Sequence, residues 1–153
     1  AETVAYHLHL SSKDSYKRAE ELLEMVGLPT FFSKRFPHEL SGGQKQRAAI
    51  AMALACSPPC ILADEPTTAL DVITQAEIVW LLKEITRKNN MTLCMVTHDL
   101  PLALSVCDRV AVMHRGEIVE IQKPSGILNN PTHPHTKKLV KSIRSIEERG
   151  NPK

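Results

Sequence analysis

The sequence predicts an α/β protein in which a parallel sheet is flanked by helices, with a helical subdomain ahead of it. Two short apolar runs carry that prediction. Cys60-Ile61-Leu62-Ala63-Asp64-Glu65 and Met91 to Asp99 each read as a buried strand that turns polar at its C-terminal end. Between them, Val72 to Lys88 places Ile73, Ile78, Leu81, Leu82 and Ile85 on one side of a long helix. Strands alternating with helices mean a parallel sheet.

The remaining elements follow in order. From Asp14 to Val26, the apolar Ala19, Leu22, Leu23 and Val26 recur at three- and four-residue spacing with charges between them. That is an amphipathic helix, and Gly27 stops it. Leu28 to Leu40 reads as a loop, because Pro29 and Pro37 interrupt regular structure. Ser41 opens a helix running to about Cys56, where Pro58 and Pro59 end it. A short helix from about Leu100 to Cys107 follows the second strand. Arg109–Met113 and Glu117–Ile121 then flank His114-Arg115-Gly116 as a hairpin. Beyond Pro124 the tail holds two short helical pieces on either side of residues 129–135.

Composition sets outer bounds. The 153 residues suffice for one domain core, and 42% hydrophobic with 24% charged residues is ordinary for a globular protein. A net charge of +2, with Lys and Arg spread along the chain, argues against nucleic acid as a partner. The longest apolar stretch, Ala48 to Cys56, is nine residues, whereas a spanning helix needs roughly twenty. Residues 1–10 show neither a basic start nor a cleavage site, so no signal peptide is expected; without an initiator Met the chain is read as starting inside a longer parent or after processing. Cys56, Cys60, Cys94 and Cys107 lack zinc or disulfide spacing and are expected to be reduced and half-buried.

The sharpest local signal is Leu40-Ser41-Gly42-Gly43-Gln44. Ser41 and Gln44, three residues apart, form a capping-box pattern. Two glycines in the first turn let backbone N–H groups approach an anion at the positive end of the helix dipole. A plain capped helix would explain Ser and Gln alone. The full pentapeptide is expected by chance with probability on the order of 10⁻⁴ in a chain this long.

That pentapeptide is the signature of ABC-type ATPases, and the chain resembles that family in further motifs. Ile61 to Pro66 resembles the Walker B strand with the glutamate that follows it, Ala69-Leu70-Asp71 resembles the D-loop, and Val96-Thr97-His98-Asp99 resembles the switch-histidine segment. The resemblance implies a partial P-loop NTPase fold using ATP and Mg²⁺, with a helical signature subdomain over residues 1–56, the C-terminal part of the ATPase core over 57–122, and a tail over 123–153. It further implies that Asp64 holds Mg²⁺ and that Glu65 orients or deprotonates the attacking water. His98 would contact the γ-phosphate. Ser41, Gly42, Gly43 and Gln44 would face nucleotide on a second subunit, and Asp71 would reach across to that subunit's site. Taken by themselves, an Asp-Glu pair is more often a solvated turn, a strand-end His a structural hydrogen-bonder, and Asp71 an N-cap.

Asp64 to Asp71 and Asn130-Pro131-Thr132-His133-Pro134-His135-Thr136 resemble the importers of oligopeptides, dipeptides and nickel, with His135 standing where Tyr is usual. This implies separate permease subunits, an extracytoplasmic solute-binding protein as indirect partner, and a place on the cytoplasmic face of the membrane. No Cys-rich segment is present, so no iron–sulfur cluster is expected. None of the six glycines lies in G-x-x-x-x-G-K-[ST], so the chain alone is expected to be inactive. A non-transport ABC-type ATPase and a non-enzymatic docking fragment are the alternatives. The two H-x-H pairs, His7/His9 and His133/His135, have no carboxylate or Cys at ligand spacing beside them, and Lys45 and Arg47 read as a solvated helix face.

Overall fold

The computed structural model describes residues 2–150, and the chain divides after Val96 into two compact units. The first runs α1 (Glu2–Leu8), α2 (Ser12–Met25), α3 (Gly42–Ala53), β1 (Cys60–Asp64), α4 (Val72–Lys88) and β2 (Thr92–Val96). Helix α1 had no counterpart in the sequence reading. Helix α2 starts on Ser11, whose Oγ accepts the Asp14 N–H, and ends at Gly27 with φ +74°. There the Leu28 N–H reaches the Leu23 carbonyl and the Gly27 N–H the Glu24 carbonyl, a Schellman closure that only a left-handed residue completes without strain.

Leu28 to Leu40 is more ordered than a loop. It contains 3₁₀ turns at Thr30–Lys34 and Pro37–Glu39. Pro29 precedes the first and Pro37 opens the second, because a fixed φ near −65° suits a turn's start even though it interrupts a helix. Helix α3 stops at Ala53, three residues before Cys56. Ser57 takes φ +48° ahead of Pro58, and a residue before proline avoids the helical region.

The apolar face of α4 is Ile78, Val79, Leu81, Leu82 and Ile85, joined by the buried Thr86. Ile73, expected on that face, is 74% exposed. Stepping back three or four residues from Ile78 reaches Gln75 and Thr74, so Ile73 points away. Around Ile78 and Leu82 pack Leu22, Val26, Ile50, Leu54 and Ile61. Each fully buried Leu or Ile contributes about 1.5–3 kcal/mol. Arg47 is not a solvated cation either: its Nη1 donates to the Val26 carbonyl at 2.9 Å and its Nη2 to Glu77 at 3.0 Å, which ties α3 to the end of α2 and to α4.

Strands β1 and β2 pair in parallel, Cys60 opposite Thr92 through Asp64 opposite Val96, as the sequence predicted. Ile61, Ala63 and Leu93 face the core, while Cys60, Leu62, Cys94 and Val96 lie exposed on the other face. This corrects the expectation of half-buried cysteines: Cys56, Cys60 and Cys94 are exposed and only Cys107 is partly covered. Strand alternation puts Cys60 and Cys94 on the outer face.

The second unit holds α5 (Leu100–Val106), β3 (Val110–His114), β4 (Glu117–Gln122), α6 (Pro124–Asn129) and α7 (Pro134–Gly150). Arg115 and Gly116, at φ +53° and +84°, make the two-residue turn that matches strand twist, so β3 and β4 form the predicted hairpin. Ala103, Val110, Val112, Ile127 and Val140 form its core. The last helix, at 17 residues, is not the short piece expected.

Glu120 holds the tail to the hairpin. Its carboxylate is buried and accepts the N–H groups of Thr132 and His133, both at 2.9 Å, and the Gln122 side-chain amide. Burial alone would raise its pKa. The N–H groups of Thr132 and His133 and the Thr136 and Thr132 hydroxyls outweigh that and lower it from 4.5 to about 2. Thr136 Oγ1 is fully enclosed beside this carboxylate and falls short of full hydrogen-bond geometry.

Candidate functional site

Asp64 is the last residue of β1 and is exposed. Glu65 adds one more bond to the ladder, its N–H reaching the Val96 carbonyl at 2.9 Å, and then turns the chain with φ +47°. A left-handed residue with a side chain costs about 1–2 kcal/mol. Ala69, at φ +64°, is a second one only four positions on. Pro66 and Thr67 are buried and pin the turn. The Thr68 N–H bonds the Glu65 carbonyl at 3.1 Å, and the Thr68 hydroxyl donates to Glu65 Oε2 at 3.1 Å. Two strained residues in a pinned turn put adjacent carboxylates at the C-terminal end of a parallel strand, the edge where open α/β sheets bind ligands.

The turn runs into Asp71, the N-cap of α4. Asp71 Oδ1 accepts the N–H groups of Ile73 and Thr74, and Oδ2 accepts the Thr74 hydroxyl at 2.6 Å. That hydroxyl, then the Thr74 and Ile73 N–H groups, hold its carboxyl below the usual value. The N-cap reading of Asp71 is therefore realised within the chain.

At the start of α3 the capping box forms as the sequence predicts. Ser41 Oγ accepts the Gln44 N–H at 3.3 Å, and Gln44 Oε1 accepts the Ser41 N–H at 3.0 Å. The glycines also have an intramolecular reason to lack side chains. A Cβ on Gly43 would lie 2.7 Å from Thr74 Cγ2, and one on Gly42 would lie 3.1 Å from Leu70 Cδ2. The two helix starts thus meet, with Gly42 against Leu70 and Gly43 against Thr74. His98 lies two residues beyond the last residue of β2 and belongs to the second unit, where the Asp99 carboxylate caps α5 by accepting the Leu102 N–H at 2.9 Å.

The model of the family described as "ABC transporter" matches residues 2–68. An oligopeptide transport ATP-binding protein, OppD of Bacillus subtilis, is 46% identical over 151 residues, which is 97% of this chain and 42% of that protein. The dipeptide transport ATP-binding protein DppD of the same organism is 44% identical over 97% of this chain and 45% of its own length. Residues 2–68 carry the ABC transporter domain, and the chain is similar to ATP-binding proteins of that family along its length. Its α/β fold agrees: the dimeric, post-hydrolysis ATP-binding cassette MJ0796 bound to ADP and Pi superposes with a TM-score of 0.65 at 43% identity, covering 75% of this chain and 49% of that one. The chain spans less than half the length of the curated relatives it matches.

The donors at this strand end suit Mg²⁺, an ion that takes one or two carboxylates and completes its shell with phosphates and water. Asp64 offers one exposed carboxylate at the strand end, and the described residues hold no cluster of three or more acids, histidines or cysteines suited to a metal enclosed by protein alone. The sequence reading missed Thr68 and Thr74, which fasten Glu65 and Asp71, although each stands three residues after its acid. It also missed Glu120, whose signal was an acid on a strand between Val119 and Ile121. No helix among the described residues is long and apolar enough to cross a membrane.

Proposed function

We propose that this chain carries the hydrolytic acids and signature helix of an ATP-binding, ATP-hydrolysing subunit that powers ABC-type import of peptides or nickel. The observation that carries it is the pinned turn from Asp64 to Asp71, which joins two adjacent carboxylates at a parallel strand's end to the glycine-opened start of α3. In this reading Glu65 takes a proton from the attacking water, and its left-handed backbone and the Thr68 hydroxyl fix the carboxylate's direction. Asp64 holds Mg²⁺, which supplies neutralisation of charge on the β- and γ-phosphates. His98 hydrogen-bonds the γ-phosphate. Ser41, Gly42, Gly43 and Gln44 present helix-start N–H groups to nucleotide on a second ATPase subunit, and Asp71 lies at that junction. The partners are that second subunit and membrane permeases at the cytoplasmic face of the membrane, with an extracytoplasmic solute-binding protein as indirect partner.

Because G-x-x-x-x-G-K-[ST] is absent from these 153 residues, the chain alone binds MgATP weakly and does not turn it over. The test uses the protein that carries these residues together with a phosphate-binding loop. Glu65→Gln lowers hydrolysis by at least about a hundredfold, within the range for loss of a general base, while MgATP binding persists. Hydrolysis within tenfold of the unsubstituted protein overturns the role given to Glu65.

A further inference from the structure

In the second unit, the segment Leu128 to Pro131 and helix α7 enclose a cleft of about 440 Å³. Its α7 wall presents Lys137, Lys141 and Arg144 on successive turns, with the buried Val140 between them. Helix α7 carries four cations, Lys137, Lys138, Lys141 and Arg144, before its first acid, Glu147. None of the ion pairs among the described residues involves Lys137, Lys141 or Arg144. Arg144 is already oriented: its Nη2 donates to the Leu128 carbonyl at 2.7 Å across the cleft. A guanidinium has five N–H donors, so that anchor leaves most of the fork for another acceptor. Like charges gathered on one wall repel one another, and an anion seated between them removes that repulsion while accepting charge-assisted hydrogen bonds.

We propose that this cleft is an anion site for a phosphate-bearing ligand, held by Lys137, Lys141 and Arg144, with Asn130 at its rim. A pre-anchored guanidinium suits the forked geometry of phosphate oxygens, and the two ammonium groups add point charges that adapt to ligand size. The residues are separate from Asp64, Glu65 and the signature helix, so the site stands or falls independently of ATP hydrolysis. Its phosphate comes either from a soluble compound or from an anionic lipid headgroup, and the two sources separate by experiment.

The test is a residue-resolved NMR titration of the 153-residue chain with inorganic pyrophosphate at about 0.15 M ionic strength, where weak surface attraction is screened. The expected result is saturable shifts at the Asn129, Asn130, Lys137 and Lys141 amides. Lys137→Glu/Lys141→Glu weakens binding by about tenfold or more, the equivalent of losing one charge-assisted bond. Both lysines are exposed, so circular dichroism should be unchanged; Lys141→Gln, which removes charge without reversing it, gives a smaller loss of the same sign. Pyrophosphate binding identifies a soluble source. Binding only to vesicles containing phosphatidylglycerol, abolished by the double substitution, identifies a headgroup. No saturable response to either probe, or a response indifferent to the substitutions, overturns the proposal, and shifts confined to the Ser41 region do the same.

Discussion

Gly43 lies so close to Thr74 that a Cβ on the glycine would stand 2.7 Å from Thr74 Cγ2. Thirty-one positions apart in the chain, these residues join the start of α3 to the first turn of α4. Glycine inside a helix normally costs about 0.5–1 kcal/mol relative to alanine, so Gly43→Ala in an open site would stabilise. Here overpacking dominates, and Gly43→Ala should lower stability by about 1–3 kcal/mol. Thr74→Ser removes the clashing methyl and keeps the hydroxyl on Asp71, so the double variant Gly43→Ala/Thr74→Ser should recover most of the loss. Denaturant midpoints of the four proteins check this; a Gly43→Ala protein more stable than the parent would refute the packing role.

The same helix start should be sensitive to charge and bulk. In the protein that also carries a phosphate-binding loop, Ser41→Arg or Gly42→Asp should abolish ATP hydrolysis with little change in melting temperature. Gly42→Asp adds a negative charge where N–H groups and the helix dipole favour an anion. Steady-state hydrolysis and thermal melting are the two readouts. Retained turnover in either variant would leave the Ser41–Gln44 box as a helix cap alone.

Glu120 makes the second unit's tail acid-sensitive. Its carboxyl is lowered from 4.5 to about 2 in the folded chain. The stabilisation is therefore fully present above about pH 4.5 and is lost as pH falls toward 2, where the folded state must also protonate. Amide exchange at Thr132 and His133 should accelerate across that window. Glu120→Gln should speed exchange at one of the two already at pH 7, because the amide keeps a single acceptor oxygen and turns its NH₂ toward the other N–H donor. Exchange at these two amides that is insensitive to both acid and substitution would show that the tail is held by other contacts.

A different pH signature belongs to the histidines. His135 stacks on His114 with ring centroids 4.0 Å apart, and its N–H donates to His133 Nδ1 at 3.1 Å. Burial, then the charges of His114, His133 and Lys138, push the His135 pKa below 6.5. Its neutral form is the folded one, so the contribution is present above 6.5 and lost as pH falls through the lower folded value. Histidine NMR titrations should find His135 below the usual histidine range, and Lys138→Ala should move it back upward. A His135 that titrates at or above 6.5 contradicts the stack.

The features legible in the sequence are those whose partners lie within a few residues. The Ser41–Gln44 box, the Gly27 stop, the Asp71 cap and the Arg115-Gly116 hairpin turn each close a hydrogen bond over a short span, so residue type and spacing suffice. The apolar strands ending at Asp64 and Val96 were legible for the same reason: burial and polarity change along a single run. Proline misled twice, since Pro29 caps and Pro37 opens a 3₁₀ turn where a loop was expected, and the helix before Pro58 stops early.

The sequence by itself determined the signature helix, the strand-end acids and the family they belong to. Only the tertiary structure decided that Gly43 needs its bare Cα for Thr74, that Glu120 grips Thr132 and His133, that Cys60 and Cys94 face outward, and that Arg144 reaches Leu128. Those relations join residues far apart in the chain or depend on which face another element covers. A side chain's pattern along the chain gives its periodicity, but what it meets across space is set by packing of the whole unit.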